Sequence, residues 1–325
     1  MDKMLFSTTN KVIMKKLLFL SFVLMGCDAI QIVTTTPGTP APPDPPVATA
    51  LPFNIQGHRG ARGLMPDNTI PSFMKGLDAG ATTLEMDAAI TKDEQVIISH
   101  DPFFVHNVAN RPEGKKIKQE EEKNLNMYRM NYNEIKSYEL GTQGDPSFPY
   151  QQKVKTYVPL LAEVIDSAEA HAKATKRPLP YYNIEIKSHR PFDNIFYPEV
   201  GKYVDLVIAV ILKKHVEKRV IIQSFDVRAL KYVHQKYPGL TLELNLDNLG
   251  SRTLADTLNS IGFVPNLYST NYRIVTDQLI KQVQEKGMKI IPYVVNDINE
   301  MKRLKAMGVD GLMTDYPNMA KDNLK

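Results

Sequence analysis

The chain has 325 residues, 43% of them hydrophobic, with 40 lysines and arginines against 36 aspartates and glutamates for a formal net charge of +4. Lys3, Lys11, Lys15, Lys16 and Asp2 lie in an N-terminal stretch expected to be removed, and without it 36 basic residues face 35 acidic ones. A net of +1 gives no support for a nucleic-acid partner held by bulk electrostatics, while the length admits one large domain or two small ones, with a sizeable core.

Taken from the N-terminus, Met14-Lys15-Lys16 precedes a short apolar run from Leu17 to Met25, the pattern of a secretory signal. The run is too short to span a bilayer, which needs about 20 apolar residues. It ends at Leu24-Met25-Gly26-Cys27, which resembles the bacterial lipoprotein cleavage box, and Cys27 is the only cysteine. A lone exported cysteine without a disulfide partner is explained by lipid attachment. Residues 1–26 are therefore expected to be a signal peptide, with Met14 as the translation start. Residues 27–50, rich in Pro and Thr between Thr34 and Pro46, are expected to be a lipidated, semi-stiff tether. The protein is expected to be exported and anchored to a bacterial membrane, facing the periplasm or the exterior, with residues 51–325 as its folded domain.

In that domain apolar runs alternate with helix-like segments. Strands are expected at Phe53–Gly57, Thr83–Ala88, Val96–Ser99, Tyr182–Ile186, Val220–Ser224, Thr241–Leu246, Leu267–Thr270, Lys289–Val294 and Asp310–Thr314. Helices are expected at Thr69–Ala79, Leu160–Ala174, Tyr203–His215, Val227–Tyr237, Thr276–Lys286 and Ile298–Met307. Only Thr91 to Gln95 separate the second strand from the third, whereas a parallel crossover needs about a dozen residues or more. The third strand must therefore return as an antiparallel hairpin. Eight parallel strands remain, the number of a (β/α)8 TIM barrel of roughly 250 residues, with the hairpin and a long loop inserted after its second strand. That loop, Pro102–Val158, is expected to be a functional lid or a mobile segment.

Active sites of such barrels gather at the C-terminal ends of the strands. His58 and Arg59 end the first strand, Glu85 and Asp87 the second, Glu185 and Lys187 the next parallel one, and Asn296 follows the seventh. Alternation along a strand puts Glu85 and Asp87 on one face, opposite Leu84 and Met86. Three carboxylates without a cysteine make an oxygen-rich site suited to a hard divalent cation, Ca²⁺ or Mg²⁺, rather than Zn²⁺. His58 and His100, arriving from different segments, can exchange protons near neutral pH. Arg59 suits a bidentate hold on phosphate oxygens and Lys187 supplies a second point charge.

These residues resemble the glycerophosphodiester phosphodiesterase family. The resemblance rests on His58-Arg59-Gly60, Pro66-Asp67-Asn68-Thr69, Glu85-x-Asp87, Thr91-x-Asp93, His100-Asp101, Glu185-x-Lys187 and the closing Asp310-Gly311-Leu312-Met313-Thr314-Asp315-Tyr316-Pro317. It covers about Phe53 to Asn318, and the ordered combination is specific where each piece alone is weak. It implies a barrel, metal-dependent release of glycerol 3-phosphate and an alcohol from a small glycerophosphodiester, catalytic roles for His58 and His100, and metal ligation by Glu85, Asp87 and Glu185. Arg59 and Lys187 would lie near the phosphate, and the neighbouring glycerol hydroxyl would attack to give a cyclic phosphate that water then opens. Three positions depart from the pattern: Asp67 for glutamate, expected to change a loop hydrogen bond; Glu94 for the hairpin glycine, expected to widen the turn; and Tyr293 for tryptophan in the pocket wall.

Two other readings compete. One is a related barrel enzyme of the phospholipase C or sphingomyelinase D type, which calls for an apolar rim. The other is a surface-binding lipoprotein that has lost catalysis, which calls for damage to the acid–base or metal set. None is visible in the sequence.

Overall fold

The computed structural model describes residues 53–247 and 253–324. The signal peptide expected at 1–26, the tether at 27–50 and Cys27 lie outside the described residues. The strands are β1 (Asn54–Gly57), β2 (Thr83–Ile90), β3 (Val96–Ile98), β4 (Ala109–Asn110), β5 (Glu139–Leu140), β6 (Tyr181–Ile186), β7 (Val220–Ser224), β8 (Thr241–Leu246), β9 (Leu267–Thr270), β10 (Lys289–Ile290) and β11 (Gly311–Thr314). The helices are α1 (Ile70–Asp78), α2 (Tyr132–Ile135), α3 (Leu161–Ala174), α4 (Val200–Lys213), α5 (Val227–Lys236), α6 (Leu254–Ile261), α7 (Asp277–Glu285), α8 (Ile298–Met307) and α9 (Pro317–Asn323).

Eight strands pair in parallel in the order β10-β9-β8-β7-β6-β2-β1-β11. Backbone hydrogen bonds join the two ends of that row. Asp310 N–H donates to the Ile290 carbonyl at 3.1 Å, Met313 N–H to Pro292 at 2.9 Å and Val295 N–H to Met313 at 2.8 Å. The result is the expected (β/α)8 barrel. Its ladder at β10 is shorter than the run Lys289–Val294 suggests, because Pro292 has no N–H to give.

The hairpin is also as expected: β3 runs antiparallel to the end of β2, with Ala88 opposite Ile98 and Ile90 opposite Val96. Its turn is not widened by Glu94. Glu94 instead takes the left-handed backbone conformation, φ 59°, that glycine adopts readily. Thr91 closes the turn, its N–H donating to the Gln95 carbonyl at 3.0 Å while its hydroxyl accepts from the Gln95 N–H at 2.9 Å.

Alternation along the strands sorts their side chains into two environments. Leu84, Met86, Tyr182, Ile184, Val220, Ile222, Leu242 and Leu244 belong to the main core packed against the helices. The intervening Gln56, Glu85, Asp87, Asn183, Glu185, Gln223 and Glu243 are buried and polar, while Ile221, Leu267 and Ile291 form a separate apolar cluster. Burying so many polar groups requires partners. The Asn183 amide donates to Gln56 Oε1 at 2.7 Å and to Glu243 Oε2 at 3.0 Å, and Ser269 donates to Glu243 Oε1 at 2.5 Å.

The segment Pro102–Val158 is more than a structureless loop, and it lines the cavity beside the strand ends with Phe104, Gly141 and Asp145. It contains the β4–β5 ribbon and α2, and carries its own core of Phe104, Ala109, Ile117, Met127, Met130, Tyr132, Ile135, Tyr138 and Val158, packed on Ala89 and Ile97 of the hairpin. Phe104 stacks on Tyr138 with ring centroids 4.0 Å apart. Apolar residues spread among many charges hide such a core from a compositional reading. Removing the fully buried Phe104 ring by Phe104→Ala is expected to cost about 3–5 kcal/mol. Chemical denaturation should show it, and a loss below about 1 kcal/mol would mean the segment is not a packed unit.

Besides α2 within the insertion, two further helices were not foreseen. α6 carries a reciprocal Thr253–Asp256 cap and ends at Gly262, φ 84°, and α9 starts at Pro317. Both are short, so their periodicity is weak, although the caps were readable.

Candidate active site

At the end of β1 the chain turns sharply through Gly57-His58-Arg59-Gly60. A Cβ at Gly57 would meet the Gly60 carbonyl oxygen at 2.1 Å, so only glycine fits there. Ser72, on α1, locks the turn by donating to the Arg59 carbonyl at 2.9 Å and accepting from the Ala61 N–H at 2.9 Å. Arg59 sits at φ 50° in this turn. Its backbone N–H thereby donates to Glu85 Oε2 at 2.8 Å. A local sequence feature thus holds the first strand's residues against the second strand's carboxylate.

Glu85, Asp87 and Glu185 are all buried, and one oxygen from each lies within 4.8 Å of the others. Pairing of β2 with β6 sets this directly, since Asp87 stands opposite Glu185 in the register. The spacing fits a hard cation with oxygen ligands at about 2.0–2.6 Å, because two such ligands on opposite sides of one ion are up to about 5 Å apart. The donor set is the one the sequence suggested. Gln223 donates to Glu85 Oε1 at 2.8 Å and is itself held by Asn245 at 3.0 Å. Asn68, φ 54°, donates to Asp87 Oδ2 at 2.8 Å.

The three acids do not titrate alike. Burial, then the charge of Asp87, pushes Glu85 well above the usual carboxylate range. Burial also raises Glu185, outweighing Lys187. Asp87 is pushed up by burial too, but Lys187 and Arg59 overcome this and hold it well below its ordinary value. Lys187 Nζ lies 3.4 Å from Asp87 and 3.2 Å from Glu185. Burial pulls Lys187 down, and these two acids more than reverse it.

Arg59 is less free than its place in the sequence suggested. Its Nη1 donates to Asp67 at 2.8 Å and its Nε lies 3.3 Å from Asp87. Asp67 also faces Arg62 at 3.3 Å. The position expected only to alter a loop hydrogen bond is therefore a salt-bridge partner that orients the guanidinium.

His58 and His100 occupy different settings. The His58 side chain is 13% exposed and its Nδ1 lies 2.7 Å from Asp315 Oδ1. Asn296 donates to the other Asp315 oxygen at 2.6 Å and accepts from the Thr314 hydroxyl and the Asp315 N–H. Burial pushes Asp315 up, but the hydrogen bond and charge of His58 and the Asn296 amide hold it below the usual range. A charged Asp315 makes Nδ1 the protonated nitrogen and leaves Nε2 as an acceptor. Burial draws His58 below its ordinary 6.5, an effect the Asp315 hydrogen bond only partly offsets. His100 follows the hairpin strand, where Ser99 N–H donates to the Asp87 carbonyl at 2.9 Å. Its side chain is 35% exposed, with Nδ1 3.2 Å from Asp101 Oδ2. A cavity of about 240 Å³ opens beside it, lined among others by Arg59, Arg62, Asp67, Asn68 and Asp145.

All seven residues expected in the site thus converge on one rim of the barrel. The supporting roles of Asp315, Asn68 and Gln223 were not assigned from sequence. Asp315 and Asn68 stand inside quoted motifs, but a contact between residues 257 positions apart leaves no local signal.

A family model described as the glycerophosphoryl diester phosphodiesterase family matches residues 58–319. A glycerophosphodiester phosphodiesterase of Bacillus altitudinis is 28% identical over 270 residues, 82% of this chain and 96% of that one. The crystal structure of a glycerophosphoryl diester phosphodiesterase, so described provisionally, from Silicibacter pomeroyi DSS-3 superposes with a TM-score of 0.74 at 26% identity, over 84% of this chain and 93% of that one. An Oleispira antarctica phosphodiesterase, solved with the product sn-glycerol-3-phosphate, shares the fold with a TM-score of 0.67 at 17% identity, over 85% of this chain and 98% of that one.

Proposed function

The chain belongs to the glycerophosphoryl diester phosphodiesterase family, and from that premise we propose that it hydrolyses glycerophosphodiesters to glycerol 3-phosphate and an alcohol by histidine acid–base catalysis. The observation that carries this is the buried Glu85, Asp87 and Glu185 cluster on the same rim as the Asp315-held His58. Those three acids would hold a divalent cation, Ca²⁺ or Mg²⁺, which when bound neutralises phosphate charge and polarises the phosphorus centre.

The rest of the chemistry falls to side chains. His58 Nε2, kept neutral by burial, takes the proton from the attacking glycerol hydroxyl as its oxygen bonds to phosphorus. The bond from phosphorus to the alcohol oxygen breaks, and His100, the more exposed histidine, gives that oxygen its proton. Water then opens the cyclic phosphate with the two roles reversed. Lys187 and the Arg59 fork, steadied by Asp67, offset charge on the phosphate oxygens. Leu24-Met25-Gly26-Cys27 supports export and a lipid anchor, which metabolic labelling with a fatty acid tests: the label should vanish in Cys27→Ala.

The direct experiment offers the purified full chain glycerophosphocholine, glycerophosphoethanolamine and an intact phospholipid, before and after chelation. Glycerol 3-phosphate should be released from the first two only while the cation is present. Phospholipid turnover without cleavage of the deacylated diesters would favour the phospholipase-type reading instead.

Asp315 provides a finer test as a positioning residue. Asp315→Asn should lower kcat/KM about 10–100-fold, the usual range for a group orienting another. It should also move the acid limb of the pH profile to lower pH. The sign follows because Asp315 favours the protonated imidazole, so its removal drops the His58 pKa further. An unchanged limb would show that Asp315 serves the fold alone.

A further inference from the structure

Eight large hydrophobic side chains are exposed among the described residues, and they are not spread evenly over the barrel. Phe192, Ile195, Phe225 and Ile274 follow the C-terminal ends of strands, on the side of the site, whereas Leu179 and Val264 precede strands at the opposite end. Phe192, Ile195 and Phe225 form one patch. They are 45%, 48% and 42% exposed, and their two loops are tied together where Ser188 donates to Asp226 at 2.8 Å and Arg228 to Asp193 at 2.6 Å. The insertion braces the same tip, with the Asn126 amide donating to the Ile195 carbonyl at 2.8 Å and Arg129 to the Asn194 carbonyl at 2.7 Å. A braced backbone therefore holds these apolar side chains in water, and such a patch with a polar rim marks an interaction surface. Three cations surround it. Lys123 lines the hollow that Phe192 also lines, Arg190 stands two residues before Phe192, and Arg129 reaches Asn194. All three are exposed, and none has an acidic partner among the described residues.

We propose that this patch docks the domain on an anionic lipid bilayer, with Phe192, Ile195 and Phe225 entering the headgroup boundary while Lys123, Arg129 and Arg190 meet lipid phosphates. The proposal concerns where the protein sits and does not depend on the diesterase reading. Charge decides the occupant. Apolar side chains ringed by unpaired cations match the layered chemistry of a bilayer surface, phosphate above hydrocarbon. A second copy of this chain is disfavoured, because a two-fold contact through the patch would set the three cations against their own counterparts. The chain also has the reach. From Cys27 to Phe53 it can span up to about 90 Å, more than three times the rise of about 25 Å along β2, so an anchor at Cys27 leaves the rim free to face the bilayer.

The chain has no tryptophan, so a single one introduced by substitution reports on its own surroundings. In the full chain carrying Cys27→Ala, which leaves no site for an acyl group, Phe192→Trp emission should shift to the blue on vesicles of phosphatidylcholine and phosphatidylglycerol. Brominated acyl chains should quench it. Leu179→Trp, at the other end of the barrel, should show neither change. Within the Phe192→Trp chain, Arg190→Gln should lower the vesicle partition coefficient about five-fold, the share of one charge near the surface. Ile195→Ser should lower it about ten-fold or more through lost apolar burial. Both variants should keep the Tm of the Phe192→Trp chain, which separates lost docking from lost fold. Absence of the blue shift on anionic vesicles overturns the proposal, as does an equal shift from Leu179→Trp, which would be adsorption without orientation. Partition unchanged by Arg190→Gln and Ile195→Ser overturns it too. A blue shift that grows with protein concentration without vesicles would be self-association through the patch, and would replace the bilayer as its occupant.

Discussion

Glu185→Gln should abolish cation-stimulated turnover, with a loss of about a hundred-fold or more, while the folded protein in chelator is no less stable than the parent. The substitution keeps the side chain's shape and removes one of three converging charges. Several kcal/mol of transition-state stabilisation would depend on the cation those charges are proposed to hold, and about 3 kcal/mol already corresponds to more than a hundred-fold in rate. The stability side follows from linkage. Burial raises the Glu185 pKa above its ordinary 4.5, so the folded state binds the proton more tightly than the unfolded chain. Ionising it therefore destabilises the fold as pH rises from 4.5 to the folded-state value, and the full penalty persists above that window. Glutamine carries no such penalty. In chelator the variant's Tm advantage should grow across the window and be complete above it. Adding cation should raise the parent's Tm more than the variant's. A variant that still responds to cation, or that unfolds in its absence, would mean that Glu185 is a structural residue.

The second large effect concerns the proton-transfer pair. His58→Ala and His100→Ala should each lower kcat by about 10²–10⁴-fold, the range for a positioned acid or base. Their double variant should lose little more than the worse single one, because the two act in one reaction cycle. Cation affinity should persist in both. The parent's kcat/KM should fall on the acid side as His58 gains its proton. That midpoint should lie below 6.5, since burial disfavours the imidazolium. His58→Ala should remove the limb. Retained activity in either single variant, measured by release of glycerol 3-phosphate, would exclude that histidine from catalysis.

Much of this was open to a reader of the chain. Alternation in Thr83-Leu84-Glu85-Met86-Asp87 put two acids on one face, and the five-residue Thr91–Gln95 connection forced the antiparallel hairpin that carries His100 to the rim. These inferences held because they depend on the two-residue period of a strand and the reach of a short link, properties of local geometry. The backbone of Glu94 and the core of the Pro102–Val158 segment were not legible for the complementary reason. Backbone strain at Glu94 is offset by bonds around Thr91, and the insertion's core assembles from residues spread across some fifty positions.

By itself the sequence determined which barrel and hairpin strands exist, which residues stand at their ends and what chemistry those residue types can perform. Only the tertiary structure decided how they are used. Parallel register set Asp87 opposite Glu185, and closure of the last strand onto the first brought Asp315 to His58. Asp67 and Asp87 likewise became the partners that hold the Arg59 guanidinium. Hydrogen bonds and ion pairs fall off within a few ångströms, whereas the residues that make them here lie up to 257 positions apart. Residue type and spacing therefore determine the available donors and acceptors, and the packed barrel selects among them.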